Sequence, residues 1–113
     1  MARKNILTSN PPYQIEQAIK RLGANLRTAR LRRNLTLEGV AEKIGTGRRA
    51  VIEAEKGKPS TSAAVYTALL WAYDLLEPME VLADPSRDTE GLASSMQRER
   101  ARAEKPEELD SDF

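Results

Sequence analysis

The stretch TLEGVAEKIGTGRRAVIEAEKG, from Thr36 to Gly57, constrains this chain more than any other part of it. Thr36 is a good N-cap, because its hydroxyl oxygen can accept from a free N–H of the first turn. A helix from Leu37 to Ile44 follows, with Glu38 in its first turn and Val40, Ala41 and Ile44 as its buried stripe. Gly45 ends it, since the residue just past a helix often needs positive φ. Thr46 then caps a second helix running through about Lys56, which Gly57 terminates. Two caps and two glycines at these offsets specify two short helices joined by a tight turn. With Val51 and Ala54 facing inward, Arg48, Arg49, Ile52 and Glu53 face outward.

The flanking segments are also helical. Residues 1–12 read as a flexible arm closed by Pro11 and Pro12. From Tyr13 to about Arg33, Ile15, Ala18, Ile19, Leu22, Leu26 and Ala29 recur at helical spacing. Gly23 interrupts that pattern and weakens the helix by roughly 1 kcal/mol relative to alanine. Arg32, Arg33 and Asn34 close it with cations suited to a helix C-terminus. Ser62 caps a further helix, Ala63 to Leu76, which is apolar on two sides. Val65, Ala68, Leu69, Ala72 and Leu76 form one stripe; Tyr66, Leu70 and Tyr73, with Trp71 between, form another. Such a helix must bury both faces, one against the core and the other against a partner or a following segment. Pro78 suits the first turn of a short helix, Met79 to Ala83, with a short strand as the second choice because Met79, Val81 and Ala83 alternate.

After Asp84-Pro85 the chain turns charged and poor in apolar groups, too poor to offset the entropy of ordering. This tail is expected to be largely disordered, with a transient helix over Gly91–Ala103. The fold class is therefore all-α. Its three parts are an arm (1–12), a helical domain (13–84) and a charged tail (85–113) that offers a segment for a partner.

Composition excludes much else. The chain has no cysteine and no histidine, which removes disulfides, thiolate chemistry, the commonest general base and the commonest metal ligand. No enzyme activity, metal or cofactor is expected. No apolar run approaches the ~18 residues of a membrane span, and the N-terminus lacks a signal-peptide core; a cytoplasmic, nucleoid-associated protein is expected. The net charge of +1 hides an asymmetry: residues 1–57 hold 12 Lys/Arg against 5 Asp/Glu, and residues 58–113 hold 6 against 12. A basic first half fits a polyanion.

Two helices with this turn form a helix-turn-helix, whose second helix enters the major groove of DNA with its N-terminal, outward side chains at the base edges. Arg48 and Arg49 are suited to guanine O6 and N7, Glu53 to cytosine N4, and Ile52 to a thymine methyl. Thr36, Thr46, Gly47, Lys56 and Lys58 flank that surface as phosphate contacts, with free N–H groups at a helix start helping to hold the anion.

Residues 24–76 resemble the five-helix DNA-binding domain of the lambdoid phage repressor and Cro family, also called the XRE family. The resemblance rests on LRTARLRRNLT, VAEKIG, TGRRAVIEAEKGKPS and the apolar helix after them. It implies an ion pair between Arg30 and Glu55. The chain departs from the family at Leu37, where a DNA-contacting glutamine is usual. More narrowly, a repressor-type domain followed by LLEPMEVLADPSRDTEGL, a basic stretch and a charged tail is similar to HipB-like antitoxins. That similarity implies a homodimer on a palindromic operator; the second apolar face of the helix Ala63–Leu76 and the segment after it, Leu70, Trp71, Tyr73, Leu76, Met79 and Leu82, are expected to pair in it. It also implies a HipA-type serine/threonine kinase toxin as partner, with Phe113 inserting into a pocket on it. Two rival readings are a stand-alone repressor without a toxin and a protein-binding adaptor that has lost DNA contact; Leu37 and the acidic second half favour the latter.

Overall fold

The computed structural model describes residues 5–104. Seven α-helices occur among them: α1 Ile6–Ser9, α2 Tyr13–Arg32, α3 Leu37–Ile44, α4 Arg48–Glu55, α5 Ala63–Ala72, α6 Glu77–Glu80 and α7 Thr89–Glu104, with a 3-10 turn at Pro85–Arg87. The chain divides into two compact units, Met1–Met79 and Glu80–Phe113, so the break falls a few residues before the one expected at Asp84.

In the first unit, local chemistry sets most helix ends. Pro12 leads into α2, and Asn34 closes it in the left-handed region at φ 58°, a conformation asparagine tolerates better than most residues. The Thr36 hydroxyl accepts from the Gly39 N–H at 3.0 Å. Gly45 at φ 80° ends α3, and the N–H of Thr46 returns to the Ala41 carbonyl at 2.9 Å. That bond commits Thr46 to the end of α3. The N-cap of α4 is therefore Gly47, not Thr46, and no side chain caps this helix. The Ser62 hydroxyl caps α5 through the Val65 N–H.

Three segments depart from the sequence reading. The arm contains α1, whose first turn Asn5 caps through the Thr8 N–H. Helix α5 stops at Ala72 rather than Leu76, because Asp74 adopts φ 59° and the Leu75 N–H folds back to the Leu70 carbonyl at 2.8 Å. The short helix expected at Met79–Ala83 lies instead at Glu77–Glu80, and Ala83 has φ 58°.

The tail, residues 85–113, was expected to be largely disordered with a transient helix over Gly91–Ala103. Its described residues carry the 16-residue α7, Thr89–Glu104, within which no residue is buried. Local hydrogen bonds account for that helix: the Asp88 carboxylate accepts from the Gly91 N–H at 3.0 Å, and good helix formers follow. Just before it, the Asp84 carboxylate accepts from the Ser86 N–H and hydroxyl, which holds that carboxyl below the usual range.

Helices α2 to α5 each supply at least two members of the core: Leu26 and Ala29, Val40 and Ala41, Val51 and Ala54, Tyr66 and Leu69, with Tyr73 just past the end of α5. On α2 the apolar stripe is only partly used, since Ile15 and Ala18 remain exposed. Arg33 is structural: it donates to the Ala29 carbonyl at 3.0 Å and the Tyr73 carbonyl at 2.8 Å, and lies over the Tyr73 ring. The Tyr73 hydroxyl is buried without a hydrogen-bond partner among the described residues, and burial raises its pKa. Tyr73→Phe is therefore expected to leave stability unchanged or to raise it by up to about 1 kcal/mol. In a urea melt, a loss above that size would mean the hydroxyl is bonded in solution.

Candidate nucleic-acid interface

Helix α4 is placed by its two neighbours. Val51 and Ala54 go fully into the core, which turns the rest of the helix outward. At its C-terminal end Glu55 grips α2: Arg30 Nε donates to Glu55 Oε2 at 2.7 Å and Arg30 Nη2 to Oε1 at 3.1 Å. The third arm of the guanidinium donates to the Leu35 carbonyl at 2.9 Å. Both side chains are buried, at 9% and 7% exposure. The hydrogen bonds to Glu55 hold the Arg30 guanidinium further above its ordinary pKa. Two charges taken out of water need such complete satisfaction, and the geometry supplies it.

At the other end of α4 the arginines stand clear. Arg49 is 90% exposed, and its Nε donates to Glu53 Oε1 one turn on, at 3.3 Å. Arg48 Nε lies 3.2 Å from Glu38 Oε1, an ion pair that crosses from α4 to α3. Lys58 Nζ approaches the same Glu53 oxygen at 3.7 Å. Surface pairs of this kind contribute about 0–1 kcal/mol, so both guanidinium groups can exchange them for another acceptor at little cost.

The remaining candidates are distributed as follows. Thr36 spends a lone pair on its cap, which leaves its O–H free to donate. Gly47 and Lys56 are exposed at the start and end of α4; Thr46 is half-buried. Ile52 is half-buried and lines a groove with Arg27, Leu37 and Lys56. Leu37 packs against the core cluster, so this position offers no polar group to a ligand. Arg27, which faces that groove from α2, carries no motif and was not singled out by sequence. Nor were the pairings of Glu38 and Glu53 with the arginines, although the Arg49–Glu53 spacing of four residues is a legible signal.

The residues expected at a dimer contact separate. Tyr73 is 1% exposed and belongs to the core; it lies beyond the end of α5, where the chain turns inward. Trp71 is 55% exposed, with Lys43 over its ring. Leu70, Leu76 and Met79 are half-buried. Leu82, in the second unit, is 70% exposed. Phe113 lies outside the described residues. Among the described residues no helix is long and apolar enough to cross a membrane.

No curated protein and no solved structure matches the chain. The family described as a helix-turn-helix domain matches residues 21–82, more than half of the sequence and the whole of the α3–turn–α4 unit. With its two short helices, the left-handed Gly45 between them and the arginines at the head of α4, the chain belongs to the helix-turn-helix domain family, whose members bind DNA.

Proposed function

We propose that this protein is a sequence-specific transcriptional repressor that binds a palindromic operator as a homodimer. More narrowly, we propose that it is the antitoxin of a HipA-type kinase toxin, repressing the operon they share. The observation that carries the DNA-binding reading is the placement of Arg48 and Arg49, exposed at the N-terminal end of the second helix of the motif. Arginine at that point of a helix-turn-helix reaches base edges in the major groove. Trp71 on α5 supports the dimer, since an exposed tryptophan is a natural centre for a protein contact. The two recognition helices would then lie about 34 Å apart, one turn of the duplex. The antitoxin reading rests on the order of segments in the sequence and on the charged tail.

Titration against a duplex selected from a random pool and against a scrambled duplex separates the roles. Arg49→Ala is expected to lower affinity for the selected duplex by about tenfold or more and to spare the scrambled one, the loss of one bidentate base contact. Lys56→Ala is expected to weaken both alike and to flatten the salt dependence by about one phosphate. Equal losses in both variants would refute this division of labour. Co-purification of a kinase from the native host tests the antitoxin reading, and sedimentation tests the dimer. The adaptor reading draws on Leu37, whose packing removes a polar contact; it requires that no duplex be selected at all.

A further inference from the structure

We infer that Glu38 and Glu53 are specificity-determining residues that hold Arg48 and Arg49 end-on for guanine, so that each half-site carries two guanines. This inference rests on the DNA-binding reading above.

Both carboxylates meet the same atom of their arginine. Glu38 Oε1 lies 3.2 Å from Arg48 Nε, and Glu53 Oε1 accepts from Arg49 Nε at 3.3 Å. A guanidinium carries five N–H donors in a fixed fork. Occupying Nε leaves the four donors on Nη1 and Nη2, whose outer edge matches guanine O6 and N7. A phosphate contact requires no such orientation, because a point charge suffices for it. A guanine contact requires the fork to be aimed, and a carboxylate beside Nε removes part of the freedom that binding would otherwise remove.

The two buttresses have separate origins. Glu38 comes from α3 and reaches across the turn, whereas Glu53 is one turn along α4. Neither pair is buried, so neither is a stability device. Carboxylates beside a phosphate backbone repel it, and Lys58 Nζ at 3.7 Å from Glu53 Oε1 offsets part of that repulsion. Glu53 is thereby engaged by two cations and serves as a positioning residue rather than the reader of cytosine expected from sequence.

Selection of bound duplexes from a random pool, followed by titration, tests the inference with wild type, Glu38→Ala, Glu53→Ala and Arg48→Lys. Wild type should enrich two guanines per half-site. In Glu38→Ala the preference for guanine at one of these positions should fall about fivefold or more, and in Glu53→Ala at the other, a part of what a bidentate contact confers. Affinity for a duplex lacking both guanines should stay level or rise. Lysine has no Nε to hold, so adding Glu38→Ala to Arg48→Lys should not change base preference further. Retained guanine preference with uniformly tighter binding would overturn the inference, because the carboxylates would then be only repulsive charges. A wild type that enriches no sequence would overturn the DNA-binding reading itself, and this inference with it.

Discussion

Glu55→Ala should cost about 3–5 kcal/mol of unfolding free energy, because it strands a buried guanidinium. Arg30 would keep its bond to the Leu35 carbonyl at 2.9 Å but lose both bonds to the carboxylate. It cannot escape by losing its proton, since a guanidinium stays charged in proteins. A small domain has only about 5–15 kcal/mol in total, so the variant would be partly unfolded near body temperature. Function should fall with it, as Glu55 is the last residue of the helix that carries Arg48 and Arg49. Urea melts give the measurement, read as a lower midpoint at an unchanged slope. The pair is not irreplaceable: Arg30→Met with Glu55→Leu removes both charges, and stability close to wild type is expected. A loss below about 1 kcal/mol in Glu55→Ala would place the pair among solvated surface bridges. A double variant as unstable as the single one would mean that shape, not charge, holds α4 to α2.

What could be read from sequence was local. Thr36, Gly45 and Gly57 mark their helix ends by chemistry confined to a few residues, and the structure places those ends where their types require. The inward pair Val51 and Ala54 follows from one turn of periodicity. Helix α5 was harder because it is apolar nearly all round, so no contrast between faces says which one goes in. Tyr66 and Leu69 point to the core, and Tyr73 joins them only because Asp74 turns the chain back. Aspartate tolerates positive φ better than most residues, but its type does not say which aspartate turns the chain. Arg33 was legible as a cation at a helix end, but not as the donor to the Tyr73 carbonyl far along the chain. The pairing of Glu38 with Arg48 depends on the angle between α3 and α4, a tertiary quantity. Helix α7 was legible as a transient helix over Gly91–Ala103; its start at Thr89 depends on the Asp88 cap, which lies outside that window.

Gly23 shows how a local rule can mislead by sign. Helix propensity alone says that Gly23→Ala should stabilise α2 by about 1 kcal/mol. The expected result is a loss of about 3 kcal/mol or more, at or above the upper range for overpacking a core. A Cβ at this position would lie 2.5 Å from the Ala54 carbonyl oxygen, 2.7 Å from that of Glu55 and 2.8 Å from the Gly57 nitrogen. All three are backbone atoms, so no rotamer change relieves the clash. The approach is mutual: Gly57, at φ 68°, would set its own Cβ 2.5 Å from the Lys20 Cα. Helices α2 and α4 therefore meet backbone to backbone, and a methyl group forces them apart where Arg30 and Glu55 also join them. Gly47→Ala is the control, since nothing lies within 4 Å of its Cβ and its φ of −79° suits any residue. Thermal melts should show a large drop for Gly23→Ala and a small change for Gly47→Ala. If the two variants melt together, the close approach of α2 and α4 is not what seats the recognition helix, and the pair between Arg30 and Glu55 must hold it alone.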